Sequence, residues 1–239
     1  MKKILTILSL FLSLSLFSQY DRSGILISTS LGFSKKQDFS ENIFFSVNNN
    51  NFSPPEIISK TFSVAPEFSY VANEKFMIGV GYFSNTFEES FSQTFNSANS
   101  NGNFFAQTSS STFKSELSGP TLHLRYSQNI LSRLIFSLKF TYFNLKGVDN
   151  SEFTNNNNNN TPSIQKNTIS YNLGEARFSP SLHYFISQKF GCYIETVGLN
   201  FNFSDSRKPN KDVDYNFSLN PQNWRIGIFY FIPIKKTIE

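Results

Sequence analysis

The feature that most constrains the fold of this chain is an alternation of apolar with polar or small side chains, repeated in runs of about 9–12 residues. Successive residues of a β-strand point to opposite faces of its sheet, so each run gives a strand with one apolar face. A tilted strand of this length crosses the hydrocarbon core of a bilayer. Beyond the N-terminal segment we find no convincing helical stripe, and the sequence therefore predicts an all-β protein. The clearest runs are 25–33, 76–83 and 134–143.

The N-terminal segment has the composition of a secretory signal peptide. Lys2 and Lys3 precede an apolar run that ends near Ser18 and Gln19. This run is shorter than a membrane anchor and is not followed by a charged stop. We expect residues 1–19 to be removed and residues 20–239 to form one domain. Loss of the two lysines lowers the net charge from +4 to +2, which is too small an excess to predict a nucleic-acid partner.

Short turns and long polar segments alternate between the predicted strands. The turns lie near 72–75, 129–133 and 187–189, and the long outer loops lie near 34–60, 88–112, 146–167 and 204–214. Runs of asparagine in the long segments, at 48–51 and 155–160, bury too little apolar area to fold alone. Short turns on one side and long loops on the other are typical of an outer membrane barrel.

The predicted fold class is a transmembrane antiparallel up-and-down β-barrel of about eight strands. The strands must close on themselves because nothing in hydrocarbon can satisfy an open sheet edge. The aromatic content of 17%, dominated by 29 Phe and 10 Tyr, suits a barrel with an aromatic outer band, while the abundant polar residues suit its lumen and loops. The predicted strands are 23–33, 60–71, 76–87, 113–127, 134–145, 168–186, 190–203 and 215–232.

A proline precedes the second half of several predicted strands. Pro66, Pro120 and Pro180 are each followed by an alternating segment with an aromatic at or near its end, and a divergent fourth copy begins at Pro221. Proline cannot donate to a strand ladder. We therefore expect these prolines toward the outer ends of the strands, where pairing is irregular, with a bulge near Pro221.

Most mid-strand charges fall on the face opposite the apolar set, which predicts a polar lumen. Side chains can fill the interior of an eight-stranded barrel, and charges buried there must be paired. We therefore predict a structural network that plugs the lumen, and we assign no catalytic, cofactor-binding or metal-binding residue. His123 and His183 could instead form a metal or acid–base pair, but no acidic partner is tied to either by spacing. The predicted network consists of Glu67, His123, Arg125, Lys139, Arg177, His183, Glu195 and Arg225.

These features together resemble a known family. The segment ending Phe17-Ser18-Gln19, the proline-led strands and the aromatic last strand at 224–231 are similar to the small outer membrane β-barrel domain proteins of Bacteroidetes-type bacteria, often classed as porin-family or PorT-like. The resemblance covers essentially all of residues 20–239. It implies the outer membrane of a Gram-negative bacterium as the location, and it specifies a fold family rather than a function.

We expect a monomeric, non-enzymatic barrel with no cofactor and a structural or surface-interacting role. Its partners would be outer membrane lipid and lipopolysaccharide, with an unidentified surface or secretion partner. Two alternatives stay open: a narrow pore or transporter of small molecules, and a soluble periplasmic ligand-binding barrel of the lipocalin kind. The direction of the apolar face distinguishes the lipocalin-like barrel from a membrane barrel, because a soluble barrel turns its apolar face inward.

Overall fold

The computed structural model of the chain describes residues 23–39, 56–98, 104–156, 163–207, 213–219 and 224–234. The predicted signal peptide, the asparagine run at 48–51, most of the run at 155–160 and Pro221 lie outside these ranges. Within them, no helix is long and apolar enough to span a membrane. The strands are β1 (Gly24–Phe39), β2 (Glu56–Val71), β3 (Phe76–Ala98), β4 (Phe104–Leu131), β5 (Leu134–Asn156), β6 (Ser163–Phe185), β7 (Phe190–Glu195), β8 (Gly198–Asp205), β9 (Asp214–Ser218) and β10 (Arg225–Pro233).

The sheet closes into a barrel with eight strands around its circumference. Strands β1 to β6 each pair antiparallel with the next strand in the chain, and β10 pairs with both β7 and β1 to complete the ring. Strand β8 pairs with β6 on the same side as β7, farther along β6, and β9 pairs with β8. Two of the eight predicted strands are therefore divided, the seventh into β7 and β8 and the eighth into β9 and β10. The predicted antiparallel up-and-down barrel of about eight strands is confirmed.

Short turns join the strands at one end of the barrel, which we call the turn end. They lie at 72–75, 132–133 and 186–189, close to the predicted positions. In the first, the side-chain oxygen of Asn73 accepts hydrogen bonds from the backbone of Lys75 and Phe76, each 2.9 Å long. In the third, the Ser187 hydroxyl accepts one from Phe190 N at 3.1 Å. These side chains replace ladder partners in the tight turns.

At the opposite end, the hairpin end, the strands are longer than predicted. Residues 88–98, 104–112, 146–156 and 163–167 were assigned to outer loops but are strand in the structure. The polar hairpins stay in register because backbone pairing and cross-strand contacts replace a hydrophobic core. Examples are the rings of Phe87 and Phe113, 6.2 Å apart, and the Lys166–Glu152 ion pair at 2.9 Å.

Each described proline of the repeat interrupts the ladder on one side. Pairing of β2 with β3 skips the positions around Pro66, and pairing of β4 with β5 skips those around Pro120. Pro180 faces the break between β7 and β8, where Gly198 restarts the strand with a φ of 63° that favours glycine. The prediction of irregular pairing holds for these three prolines. The prediction that they lie toward strand ends is wrong, because the polar hairpins extend β2, β4 and β6 well beyond them.

The outer face of the barrel carries an apolar belt. Along β5 the exposed residues include Leu138, Phe140 and Tyr142, and the polar Asn144 and Lys146 follow toward the hairpin end. The other long strands repeat this change at the same level. Aromatic side chains border the belt at both ends, as the girdles of a transmembrane barrel do. They include Tyr70, Phe76, Tyr126, Phe190 and Tyr230 toward the turn end, and Phe33, Phe62, Tyr82 and Tyr142 toward the hairpin end.

The inner face carries the charges, so the faces are arranged as in a membrane barrel and opposite to a lipocalin. Ser137, Lys139 and Thr141 of β5 are buried in the lumen, while their neighbours Leu138 and Phe140 are exposed. In a soluble barrel this apolar belt would face water, and exposing so large an apolar surface to water is unfavourable. The chain is therefore a membrane β-barrel protein.

We predict that Leu138→Arg destabilises the barrel far more than Asn144→Arg. Both side chains point outward from β5, but Leu138 lies within the belt and Asn144 beyond it. An arginine on the lipid face costs about 2–4 kcal/mol at the midplane and about 0–1 kcal/mol near the interface. Urea unfolding in lipid vesicles measures both variants. Equal losses would contradict the placement of the belt.

Candidate functional site

The lumen is filled by three layers of side chains. The layer at the turn end is apolar, the middle layer is charged, and a second apolar layer lies toward the hairpin end. Strand β5 shows the order, with Ile135, Lys139 and Phe143 facing inward in succession. The turn-end layer consists of Leu26, Val71, Met77, Ile135, Phe185, Tyr193, Phe229 and Phe231. The second apolar layer consists of Ala65, Phe83, Phe143, Leu145, Tyr171 and Leu173.

Lys139 is the hub of the charged layer. Its ammonium Nζ lies 2.7 Å from Glu67 Oε1 of β2 and also contacts Glu195 Oε2 of β7. All three side chains are less than 5% exposed. Neither β2 nor β7 is adjacent to β5 in the ring, so these contacts cross the lumen rather than follow the sheet. One cation thus joins two carboxylates from well-separated parts of the wall.

Two arginines complete the charge pairing around the hub. Arg125 Nη2 lies 3.2 Å from Glu67 Oε2, and its guanidinium stands 6.0 Å from the centre of the Tyr193 ring. Arg225 Nη2 contacts Glu195 Oε1, and these two residues are direct cross-strand partners in β10 and β7. Each carboxylate of the layer therefore contacts two cations, which offsets part of the cost of removing it from water.

Arg177 pairs outside the hub. Both its Nε and its Nη2 donate to Glu175 Oε1, at 3.1 and 2.5 Å, and the two residues are neighbours on the inner face of β6. The guanidinium carbon stands 4.8 Å from the centre of the Phe143 ring. The sequence placed Arg177 on the correct face but missed Glu175, although its position two residues earlier gives it the same orientation.

The two histidines lie apart, each bonded to a serine. His123 Nε2 is 2.8 Å from the Ser69 hydroxyl, and His183 Nε2 is 3.0 Å from the Ser181 hydroxyl. The His183 ring also stacks on Tyr193, with ring centres 4.9 Å apart. Among the described residues, no group of three His, Cys, Asp or Glu side chains is arranged to hold a metal ion. Each ring is thus held in the packed lumen through its Nε2, while its Nδ1 is buried without a hydrogen-bond partner among the described residues.

A second charge cluster, which the sequence did not predict, lies at the hairpin end. Arg207 follows β8, and its Nη1 and Nη2 lie 2.7 Å from Asp149 and 2.8 Å from Asp205. Its guanidinium carbon is 3.7 Å from the centre of the Tyr171 ring. Hydrogen bonding to Asp205 is the largest cause of the raised pKa of Arg207, while burial raises the pKa of Tyr171. The cluster connects the end of β8 to the β5–β6 hairpin. The alternation of side chains along the strands could have identified only Asp149 as a member of this cluster.

All eight predicted network residues are buried within the barrel, but they form four groups rather than one. Glu67, Arg125, Lys139, Glu195 and Arg225 make the hub, Arg177 pairs with Glu175, and each histidine bonds a serine. Such an arrangement can fill and brace a lumen. It presents neither a nucleophile joined to a base at an open surface nor a set of metal ligands within the described residues.

Comparisons with known proteins add little detail. No protein-family model matches the sequence, and no curated protein matches it. Among solved structures, the chain is similar to the outer membrane protease OmpT from Escherichia coli, with 12% identity and a TM-score of 0.35 over 87% of this chain and 93% of that chain. It is also similar to Ail, the attachment invasion locus protein of Yersinia pestis, solved with the heparin analogue sucrose octasulfate. That likeness has 11% identity and a TM-score of 0.29 over 88% of this chain and 98% of the other.

We predict that Lys139→Met lowers barrel stability by about 3–5 kcal/mol, because it leaves Glu67 and Glu195 facing each other inside the lumen with one cation each. The matched control is Lys166→Met, which breaks the exposed pair with Glu152 and should cost about 0–1 kcal/mol. Urea unfolding in lipid vesicles, followed by tryptophan fluorescence, compares the two. A loss at Lys139 no larger than at Lys166 would show that the hub does not hold the wall together.

Proposed function

We propose that this protein is an outer membrane β-barrel of a Gram-negative bacterium with a closed lumen, acting as a structural or surface-interacting protein and not as an enzyme. The observation that carries the proposal is the Lys139 hub, which joins β5 to β2 and β7 across the lumen between two apolar layers. A solvated conduction path through this region would require the hub and both layers to separate. The Bacteroidetes-type, PorT-like family is the affiliation that we propose.

The long hairpins supply the surface for interaction. The β3–β4 and β5–β6 hairpins extend beyond the apolar belt and carry mostly Ser, Thr, Asn and scattered Phe side chains. We place this end outside the cell and the turn end in the periplasm, as in outer membrane barrels generally. A surface or secretion partner, as yet unidentified, would contact these hairpins.

A row of outward charges just beyond the belt supports contact with lipopolysaccharide. Lys35, Lys60, Glu88 and Lys114 are successive cross-strand partners in β1 to β4. Lys35 and Lys60 are exposed and directly opposed, which is unfavourable for like charges unless an anion lies between them. Lipid phosphates at the membrane surface would supply that anion. Closure of the ring through β7 and β10 leaves no free edge within the belt, which supports a monomer.

The closed lumen predicts that the purified protein in planar lipid bilayers shows no large, stable channels. Replacing the hub with small neutral residues, as in Glu67→Ser together with Lys139→Ser and Glu195→Ser, should not open a large channel by itself, because the two apolar layers still fill the lumen. A shift in gel mobility between unheated and boiled samples verifies folding. Porin-scale conductance of the unaltered protein would reject the closed lumen in favour of a transport role.

The orientation predicts different labelling of the two ends on intact cells. Cys192 is the only cysteine of the chain, so Cys192→Ser gives a background for single introduced cysteines. Ser151→Cys, exposed on the β5–β6 hairpin, should react with a membrane-impermeant maleimide, while Glu74→Cys in a short turn should react only after the cells are broken. The reverse labelling pattern would show that the topology is inverted. If the outer membrane fraction contained no protein labelled at either cysteine, the proposed location would be contradicted.

A further inference from the structure

A cavity of about 210 Å³ lies in the lumen on the hairpin side of the hub. Its lining residues come from every part of the ring, and on β2, β4 and β5 they lie farther toward the hairpin end than Glu67, Arg125 and Lys139, while Arg225 belongs both to the charged layer and to the lining. Ser63 precedes Glu67 on β2, for example, and Leu145 follows Lys139 on β5. The cavity is therefore a vestibule whose floor is the charged layer. Its volume suits a small organic molecule rather than a single water.

Two arginines contribute the positive groups of this vestibule. Arg177 and Arg225 both line the cavity, and each guanidinium carbon stands 5.7 Å from the centre of the same Phe83 ring. Arg225 is 4% exposed, and its Nε has no hydrogen-bond partner among the described residues. Gly32 makes room for this side chain, because a Cβ there would lie 3.0 Å from Arg225 Cγ. A buried donor left without a partner is costly unless a ligand or water satisfies it.

The local charge balance is also positive. In the charged layer, the described carboxylates of Glu67 and Glu195 face the three cations Arg125, Lys139 and Arg225. The Glu175–Arg177 pair above them is neutral. The described cations of the layer therefore outnumber its described carboxylates by one positive charge. A monovalent anion bound against Arg225 would balance it, and a carboxylate matches the planar donor geometry of a guanidinium.

The remaining lining residues are of two kinds: apolar or aromatic residues, and the polar residues Ser34, Thr61, Ser63, Asn85 and Glu175, of which Glu175 is paired with Arg177. Phe83, Leu117 and Leu145 line one side, and Trp224 lines the cavity at the start of β10. A compact inorganic anion would leave these walls in contact with water, whereas an apolar ring would cover them. The vestibule therefore combines one anchoring position for an acidic group with space for a small apolar body.

We infer that this vestibule binds small amphipathic carboxylates, with the carboxylate at Arg225 and Arg177 and the apolar body against Phe83, Leu117 and Leu145. The inference goes beyond the surface role proposed above and does not depend on it. A closed floor makes the vestibule a binding site on the hairpin side of the plug. The molecule bound there need not cross the barrel.

Benzoate is a suitable probe, and Trp224 is a suitable reporter because it is the only tryptophan of the chain. Titration of benzoate into the folded barrel in lipid nanodiscs should change the Trp224 fluorescence in a saturable way. Benzamide, which has the same shape without the charge, and inorganic phosphate, which lacks the apolar body, should bind at least tenfold more weakly. Gel mobility before and after boiling verifies that each protein sample is folded.

Three variants test the position of the ligand. Arg225→Gln should weaken benzoate binding at least tenfold while Lys139 still neutralises Glu195, and Ser63→Phe should block binding by filling the cavity. Arg207→Gln removes a cation that stacks on an aromatic ring but does not line the cavity, so it should bind benzoate as the unaltered protein does. If Arg225→Gln does not fold, Arg177→Gln replaces it. Equal responses to benzoate and benzamide, or unchanged binding in the folded arginine and Ser63 variants, would overturn the inference.

Discussion

Inside hydrocarbon, every backbone donor and acceptor must find its partner within the protein, and most of this structure follows from that requirement. It forces β10 to return to β1, because an open edge in the belt would expose a row of unpaired groups. Closure with eight strands then creates an interior narrow enough for side chains to fill. The prolines are compatible with the requirement because each removes pairing on one side only.

The charged layer is a consequence of that narrow interior. Closure brings β2, β5 and β7 close enough for a single lysine to reach two glutamates. Apolar layers on both sides lower the local polarity and strengthen the attraction, but they also make each charge dependent on its partners. A purely apolar filling could be equally stable. The ion pairs add a directional constraint, since Arg225 and Glu195 satisfy each other only when β10 and β7 pair in the observed register.

The sequence predicted the closed sheet and the buried set because both depend on local periodicity. Parity alone put Glu67, Lys139 and Glu195 inside the barrel. It could not show that they meet, because their contacts cross the lumen between strands that are not neighbours. The length of the strands was also missed, since serine and asparagine have weak strand propensity and the outer hairpins are held by pairing rather than burial. Arg207 escaped prediction because it lies just after a strand, where alternation gives no orientation.

The ladder gaps at Pro66, Pro120 and Pro180 interrupt the pairing on one side of three strands, between their turn-end and hairpin-end parts. When a hairpin opens locally, the opening can stop at such a gap, because the inter-strand hydrogen bonds beyond the gap are not continuous with those that have broken. The barrel and its projections therefore behave as separate cooperative units. Substitutions, insertions and deletions in the outer hairpins should therefore leave the folding of the membrane-embedded wall and its buried ion pairs intact.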